Sequence, residues 1–388
     1  MTLNATQAAE AAARTSYGRL VAILAARNRD VAGAEDALPE ALVAALRLWP
    51  AQGVPANPEG WLLTTARNRI RNAARHAQVA DRALPDLLPL PPEGVDLPDQ
   101  RLALLFVRAH PAIDPAARTP LMLQTVLGLD AARIAAAFLV PPATMSQRLV
   151  RAKTRIRDTG LRFALPDRED LPPRLSAVLD AIYAAYGRGW DDLTTEAIYL
   201  ARLILVLMPA EPEAAGLPAL MLYTQARRPA RRDALGRFVP LSAQDSRLWS
   251  RDLIIEAEGL LTAAAVQARF GRYLCEAAIQ SVHIQRPITG HTNHAALLTL
   301  YDLLVQHSPG IGARISRAVV LAGSGQPGKA LAALDDMPAE RVARYQPYWA
   351  ARAKVLDLQG RPAAARAARK TAVELTDDPA VRAYLESL

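Results

Sequence analysis

The sequence predicts an all-α protein, on three observations. Apolar residues fill 51% of 388 positions but aromatics only 5%; Ala and Leu carry the apolar share, which favours helix over sheet. Nearly every long segment repeats its apolar residues at helical period. Alternation bounded by hairpin turns is absent, and the one strand candidate, 237–241, is short and contains Pro240. A Gly-x-Pro turn also recurs, Gly325-Gln326-Pro327 and Gly360-Arg361-Pro362, between helical stretches 35 residues apart. Helix, turn, helix at a period of about 34 is the arithmetic of a tetratricopeptide-like array; two unrelated helical hairpins are the plainer alternative.

Composition divides the chain in order. Residues 1–78 form a helical domain ending in a basic run. Residues 79–99 form a Pro/acid-rich linker, with five prolines and five acids against one Arg, a mixture that resists packing. Residues 100–163 form a second small helical domain, also ending in a basic run, and residues 164–388 form the helical-repeat extension.

The formal net charge is +8, from 46 basic residues of which only four are Lys. Excess base favours a polyanionic partner without naming one. A single Cys rules out a disulfide framework within the chain and a Cys-rich zinc site. No apolar run is long enough to span a membrane, and the N-terminus lacks the basic start and apolar centre of a secretory signal. The expectation is a soluble, cytoplasmic protein with no membrane partner, no cofactor and no bound metal.

In the first domain, Asn57 is a suitable N-cap, Pro58 fits the first helical position, and Glu59 suits the positive helix end. Leu62, Ala66, Ile70 and Ala73 form an apolar stripe. Arg67, Arg71 and Arg75 form a basic stripe, with Arg69 near it. Like charges at this spacing repel, so they point to a phosphate-facing surface or, more plainly, a solvated face.

In the second domain, Asp130 caps a short helix ending near Phe138, and a longer one starts at Pro141-Pro142. Met145, Leu149, Ala152 and Ile156 make its core stripe; Thr144, Arg148, Arg151 and Arg155 make a polar stripe, with Gln147 and Lys153 close by. This is a helix-turn-helix pattern, carrying the side chains that read base edges and hold phosphates.

Two basic blocks joined by such a linker resemble the promoter-binding domains of extracytoplasmic-function sigma factors of bacterial RNA polymerase. The segments 53–69, 110–113 and 136–153 are similar to the subgroup with a large tetratricopeptide-like C-terminal extension, as are 196–203, 219–222, 244–249 and 300–304. The resemblance implies that Glu35, Asp36 and Glu40 bind RNA polymerase core. It further implies that Arg67, Asn68, Arg69, Arg71 and Arg75 engage the −10 promoter element. Thr144, Gln147, Arg148, Arg151, Lys153 and Arg155 would engage the −35 element. Such a protein directs promoter-specific initiation and has no reaction of its own, its extension acting as regulator.

The chain departs from that pattern. Pro39 stands where the family usually has Gln; inside a helix it removes a hydrogen bond at roughly 3 kcal/mol, or forces a kink. The −10 helix has Asn72, Ala73 and Ala74 in place of an acid and two large side chains, and the segment 186–190 also differs. These departures motivate an alternative, a sigma fold repurposed as a small-molecule-binding protein or enzyme. Its acid–base candidates are Glu276, His283, His291 and His294, with Tyr183, Tyr186, Trp190 and Tyr273 alongside. His291 and His294 share the spacing of one helical turn; a surface or loop cluster is their plainer reading, and core that of the aromatics.

Overall fold

A computed structural model describes residues 4–78, 99–159, 163, 165–187 and 193–388, without the side chains of 13–15 and 74–78. The linker 79–98 and Trp190 lie outside the described residues, as does the Arg75 side chain. Among the described residues the architecture is all-α. The strand candidate contributes only an isolated bridge between Arg232 and Phe238. No described helix is long and apolar enough to cross a membrane.

The chain forms two compact units, 1–203 and 204–388. The first begins with α1 (Ala5–Asn28), α2 (Val31–Gln52) and α3 (Pro58–Gln78). A reciprocal box between Asn4 and Gln7 starts α1, Asp30 caps α2 through the Gly33 amide, and Asn57 caps α3 through the Gly60 amide at 2.9 Å. Helix α2 runs unbroken through Pro39 to Gln52, so the proline does not end it. Leu62 and Ala66 of α3 are fully buried; the expected stripe fails at Ala73, which is exposed.

Then follow α4 (Arg101–Arg108), α5 (Pro115–Leu127), α6 (Ala131–Ala137), α7 (Pro142–Asp158), α8 (Leu171–Gly187) and α9 (Thr194–Leu207), which runs across the division between the units. Asp130 caps α6 at 2.8 Å, and Leu139 makes the turn into α7 with a left-handed φ of 54°. The stripe Met145, Leu149, Ala152 and Ile156 is buried as the spacing predicts. Helix α8 packs on α4 and α5, so the first unit extends past the composition break near 163.

Helices α1 and α5 meet backbone to backbone: a Cβ on Gly18 would lie 1.8 Å from the Val126 carbonyl oxygen. Only glycine allows this approach. The first three helices and the helix-turn-helix thus share one core.

The second unit contains α10 (Pro212–Ala226), α11 (Arg251–Ala265), α12 (Arg272–Thr289), α13 (His294–His307), α14 (Ile311–Gly323), α15 (Pro327–Asp335), α16 (Ala339–Val342), α17 (Gln346–Leu358), α18 (Pro362–Glu374) and α19 (Pro379–Glu386). Gly325 and Gly360 both take left-handed φ, 83° and 71°, and Pro327 and Pro362 both open the next helix. The Gln326 amide reaches back to the Leu321 carbonyl at 3.1 Å, and Arg361 to Leu356 at 3.0 Å. The two turns therefore use one backbone solution. Ile315, Leu321, Leu334, Val355, Leu356 and Ala365 form the core between the hairpins they close.

Candidate nucleic-acid and partner interface

Helix α7 sorts its polar residues onto two sides. Thr144, Gln147, Arg151 and Arg155 are exposed along one line, the i, i+3, i+7, i+11 spacing of a single helix face. Arg148 and Lys153 leave that line. An Arg148 Nη1 donates to the Ala116 carbonyl of α5 at 3.4 Å, and Lys153 Nζ lies 3.8 Å from Glu35 Oε2 of α2. The expected six-residue stripe is therefore a four-residue outer face and two inward-leaning cations.

On α3, Arg69 and Arg71 are exposed while Arg67 and Asn68 are half-buried. Arg71 donates to Asn68 Oδ1 at 3.1 Å, and Arg69 pairs with Glu40 at 2.5 Å. Burial, and then the like charge of Arg67, lowers the pKa of Arg27. Glu59 binds back to α1, accepting from Ser16 Oγ and lying 3.9 Å from Arg19.

The three acids of α2 separate by environment. Asp36 and Glu40 are exposed; Asp36 sits 3.6 Å from Arg157 of α7. Glu35 is inside the fold, its side chain 6% exposed. Its Oε1 accepts from Thr125 Oγ1 at 2.7 Å and lies 2.7 Å from Arg108 Nη2, while Oε2 faces Lys153. Arg108 is itself 1% exposed, and its Nε makes no hydrogen bond among the described residues. Its Nη2 is near Glu35 in distance but makes no aligned hydrogen bond, so the contact is chiefly Coulombic. Tyr17 stands beside the cluster; burial first, then the Glu35 carboxylate, raises its phenol pKa.

Sequence reasoning missed Arg108, Thr125 and Gly18. The readable signal was Arg108, which ends the apolar run Leu102–Val107. Glu35 carried one too: it lies four residues after Val31 and three before Leu38, on the stripe that the buried Ala34, Leu38, Ala41 and Ala45 continue.

The acid–base candidates do not assemble in this way. Tyr183 and Tyr186 stack at 6.4 Å on α8 of the first unit, whereas the Glu and His candidates are in the second. His291 lies in the turn before α13 and His294 is that helix's first residue, so the two do not project from one helical turn. His291 Nδ1 is 3.0 Å from the Thr289 carbonyl, and Glu276 pairs with Arg272 at 2.9 Å. Tyr273 is buried beneath the Arg272 guanidinium, 4.9 Å from its ring centre. Burial, then the charges of Arg227, Arg286 and His294, holds His283 down at about 4. Burial, with Glu213 and Glu276 adding, pushes the Cys275 thiol up to about 12. Among the described residues, no group of three His, Cys, Asp or Glu could hold a metal ion.

With the helix-turn-helix exposed along one face and three helices before it, the class is that of a sigma-factor-like protein. Sigma-70 region 2 matches residues 13–79, covering most of α1, α2 and α3. A family of unknown function, DUF6596, matches residues 174–265, from α8 to α11. An uncharacterized protein of Rhizobium meliloti (strain 1021), R00370, is 36% identical over 380 residues, 92% of this chain and 89% of that protein. The chain belongs to the same family as that rhizobial protein. No solved structure matches it.

Proposed function

We propose that the protein is a sigma factor of the extracytoplasmic-function type, which binds RNA polymerase core and directs initiation at a two-element promoter. The observation that carries this reading is a sigma-70 region 2 domain in one compact unit with a helix-turn-helix whose Thr144, Gln147, Arg151 and Arg155 face outward. In this reading α7 enters the major groove at the −35 element. There Gln147 and Arg151 present donors to base edges, and Arg155 holds phosphate. Helix α3 offers Arg67, Asn68, Arg69, Arg71 and Arg75 at the −10 element. Asp36 and Glu40, with Glu35 once released from its buried partners, meet the polymerase. The helical extension, with its paired Gly-x-Pro turns, is tetratricopeptide-like and regulates the sigma unit. Charge supports the assignment, since counterion release makes such contacts strongly salt-dependent.

The test is association of the full chain with core polymerase at low salt, followed by transcription from promoter libraries. Promoter-dependent transcripts that require both partners are the expected result. No association with core under any salt condition sinks the reading.

A further inference from the structure

The acid that would greet polymerase and a cation of the helix that would hold DNA are each other's partners in this fold. Glu35 of α2 contacts Arg108 of α4 at 2.7 Å, Thr125 of α5 at 2.7 Å and Lys153 of α7 at 3.8 Å. Asp36 and Arg157 repeat the pairing one residue along at the rim, 3.6 Å apart. Beneath both, Gly18 and Val126 bring α1 and α5 into backbone contact. We propose that this is a self-inhibited, closed form of the first unit: Glu35 is a latch that withholds the acidic face of α2 and the inner edge of α7 from polymerase and DNA. The inference rests on the sigma-factor reading above and adds its regulation.

Two features argue for a latch over simple packing. A buried ion pair is a poor source of net stability, because desolvating two charges offsets most of their attraction; its best-attested uses are register and switching. This one is also incompletely bonded, with the buried Arg108 Nε unsatisfied among the described residues. Opening would return Glu35, Arg108 and Lys153 to water, and the chain from α3 to α4 would keep the halves tethered, so that reclosure is intramolecular. A partner that needs the open form binds with its intrinsic affinity reduced by the open fraction.

Dyes on exposed positions, Gln52→Cys on α2 and Thr154→Cys on α7, report closure in the full chain; the native Cys275 is buried and does not compete. Gly18→Ala inserts a Cβ where the Val126 carbonyl stands, outside every residue assigned to DNA or polymerase. Thr125→Val is a milder second variant that keeps shape and removes the hydroxyl donor to Glu35. Circular dichroism checks that each remains helical, and if Gly18→Ala does not, Thr125→Val decides.

The expected result is lower energy transfer in the variants and core polymerase binding at least about tenfold tighter than wild type. The wild-type chain should also lose transfer when polymerase binds. Transfer that stays high in both variants, or that falls with no gain in affinity for polymerase or plain duplex DNA, overturns the latch. So does a polymerase complex that keeps the closed signal. If no variant binds polymerase, the sigma reading fails on its own and duplex DNA judges the latch: tighter binding on opening supports it, and unchanged binding overturns it.

Discussion

Glu213 of α10 caps a helix to which it does not belong: its Oε1 accepts the Leu274 amide of α12 at 2.9 Å, and its Oε2 accepts the Tyr273 amide at 2.9 Å. Gly271 leaves room for the carboxylate, and Gly216 brings α10 so close that an added Cβ would sit 2.5 Å from the Leu274 nitrogen. Burial nevertheless raises the Glu213 pKa against the pull of those amides, and Glu211 and Glu276 add to it. The folded state therefore holds the proton more tightly than the unfolded chain. Its contribution is complete below the ordinary glutamate range and is lost as pH rises through the raised value. Glu213→Gln should flatten that fall in stability between about pH 4 and 7. Glu213→Ala should cost about 1–3 kcal/mol at every pH by orphaning buried amides. Urea unfolding across pH measures both.

Arg151 and Arg155 should carry the salt dependence of DNA binding, and Arg148 should not. The double substitution Arg151→Ala, Arg155→Ala is expected to weaken duplex binding and reduce the slope of log K against log salt by about 2. Arg148→Ala, whose side chain reaches the Ala116 carbonyl, should leave the slope unchanged. Equal slopes for all three proteins would remove α7 from the DNA interface.

His283 makes an acid-side prediction of opposite sign. Its folded pKa is near 4, below that of a free histidine, because burial and then Arg227, Arg286 and His294 oppose its charge. The folded state binds fewer protons there, so stability is present above about pH 6.5 and is lost as pH falls through about 4. His283→Gln should lessen that acid loss, read as the difference in Tm between pH 7 and pH 4.5.

Pro39 is exposed, so replacing it should remove no packing. Pro39→Ala restores an amide donor in mid-helix and should raise stability by about 1–3 kcal/mol in chemical denaturation. A loss of stability would mean that the surrounding helix geometry depends on the proline.

Period and cap chemistry made much of this fold readable. The buried face of α7, the caps Asn57 and Asp130, and the two Gly-x-Pro turns are decided within a few residues of chain, where spacing and side-chain chemistry act alone. The division of labour on α7 was not readable. Arg148 and Arg151 look equivalent in a linear pattern, and only the arrival of α5 separates them. Glu35 was read as a surface acid because carboxylates are rarely buried unpaired. Its partners Arg108 and Thr125 come from helices far along the chain, and no local pattern couples them. The His cluster failed for the converse reason: nearness in sequence put His291 in a turn and His294 on a helix, with different neighbours.

The paired turns at Gly325 and Gly360 set the extension apart in how it can change. Helices α14 and α17 begin and end 35 positions apart, and so do the first residues of α15 and α18. A segment inserted or deleted in whole multiples of that length meets its neighbours through surfaces they already carry, so the array can grow or shrink by duplication. The first unit has no such module, since one glycine seam and one buried ion pair admit a single register. The chain thus joins a length-tolerant part to a length-intolerant one, and inherited changes in size are expected to collect in the former.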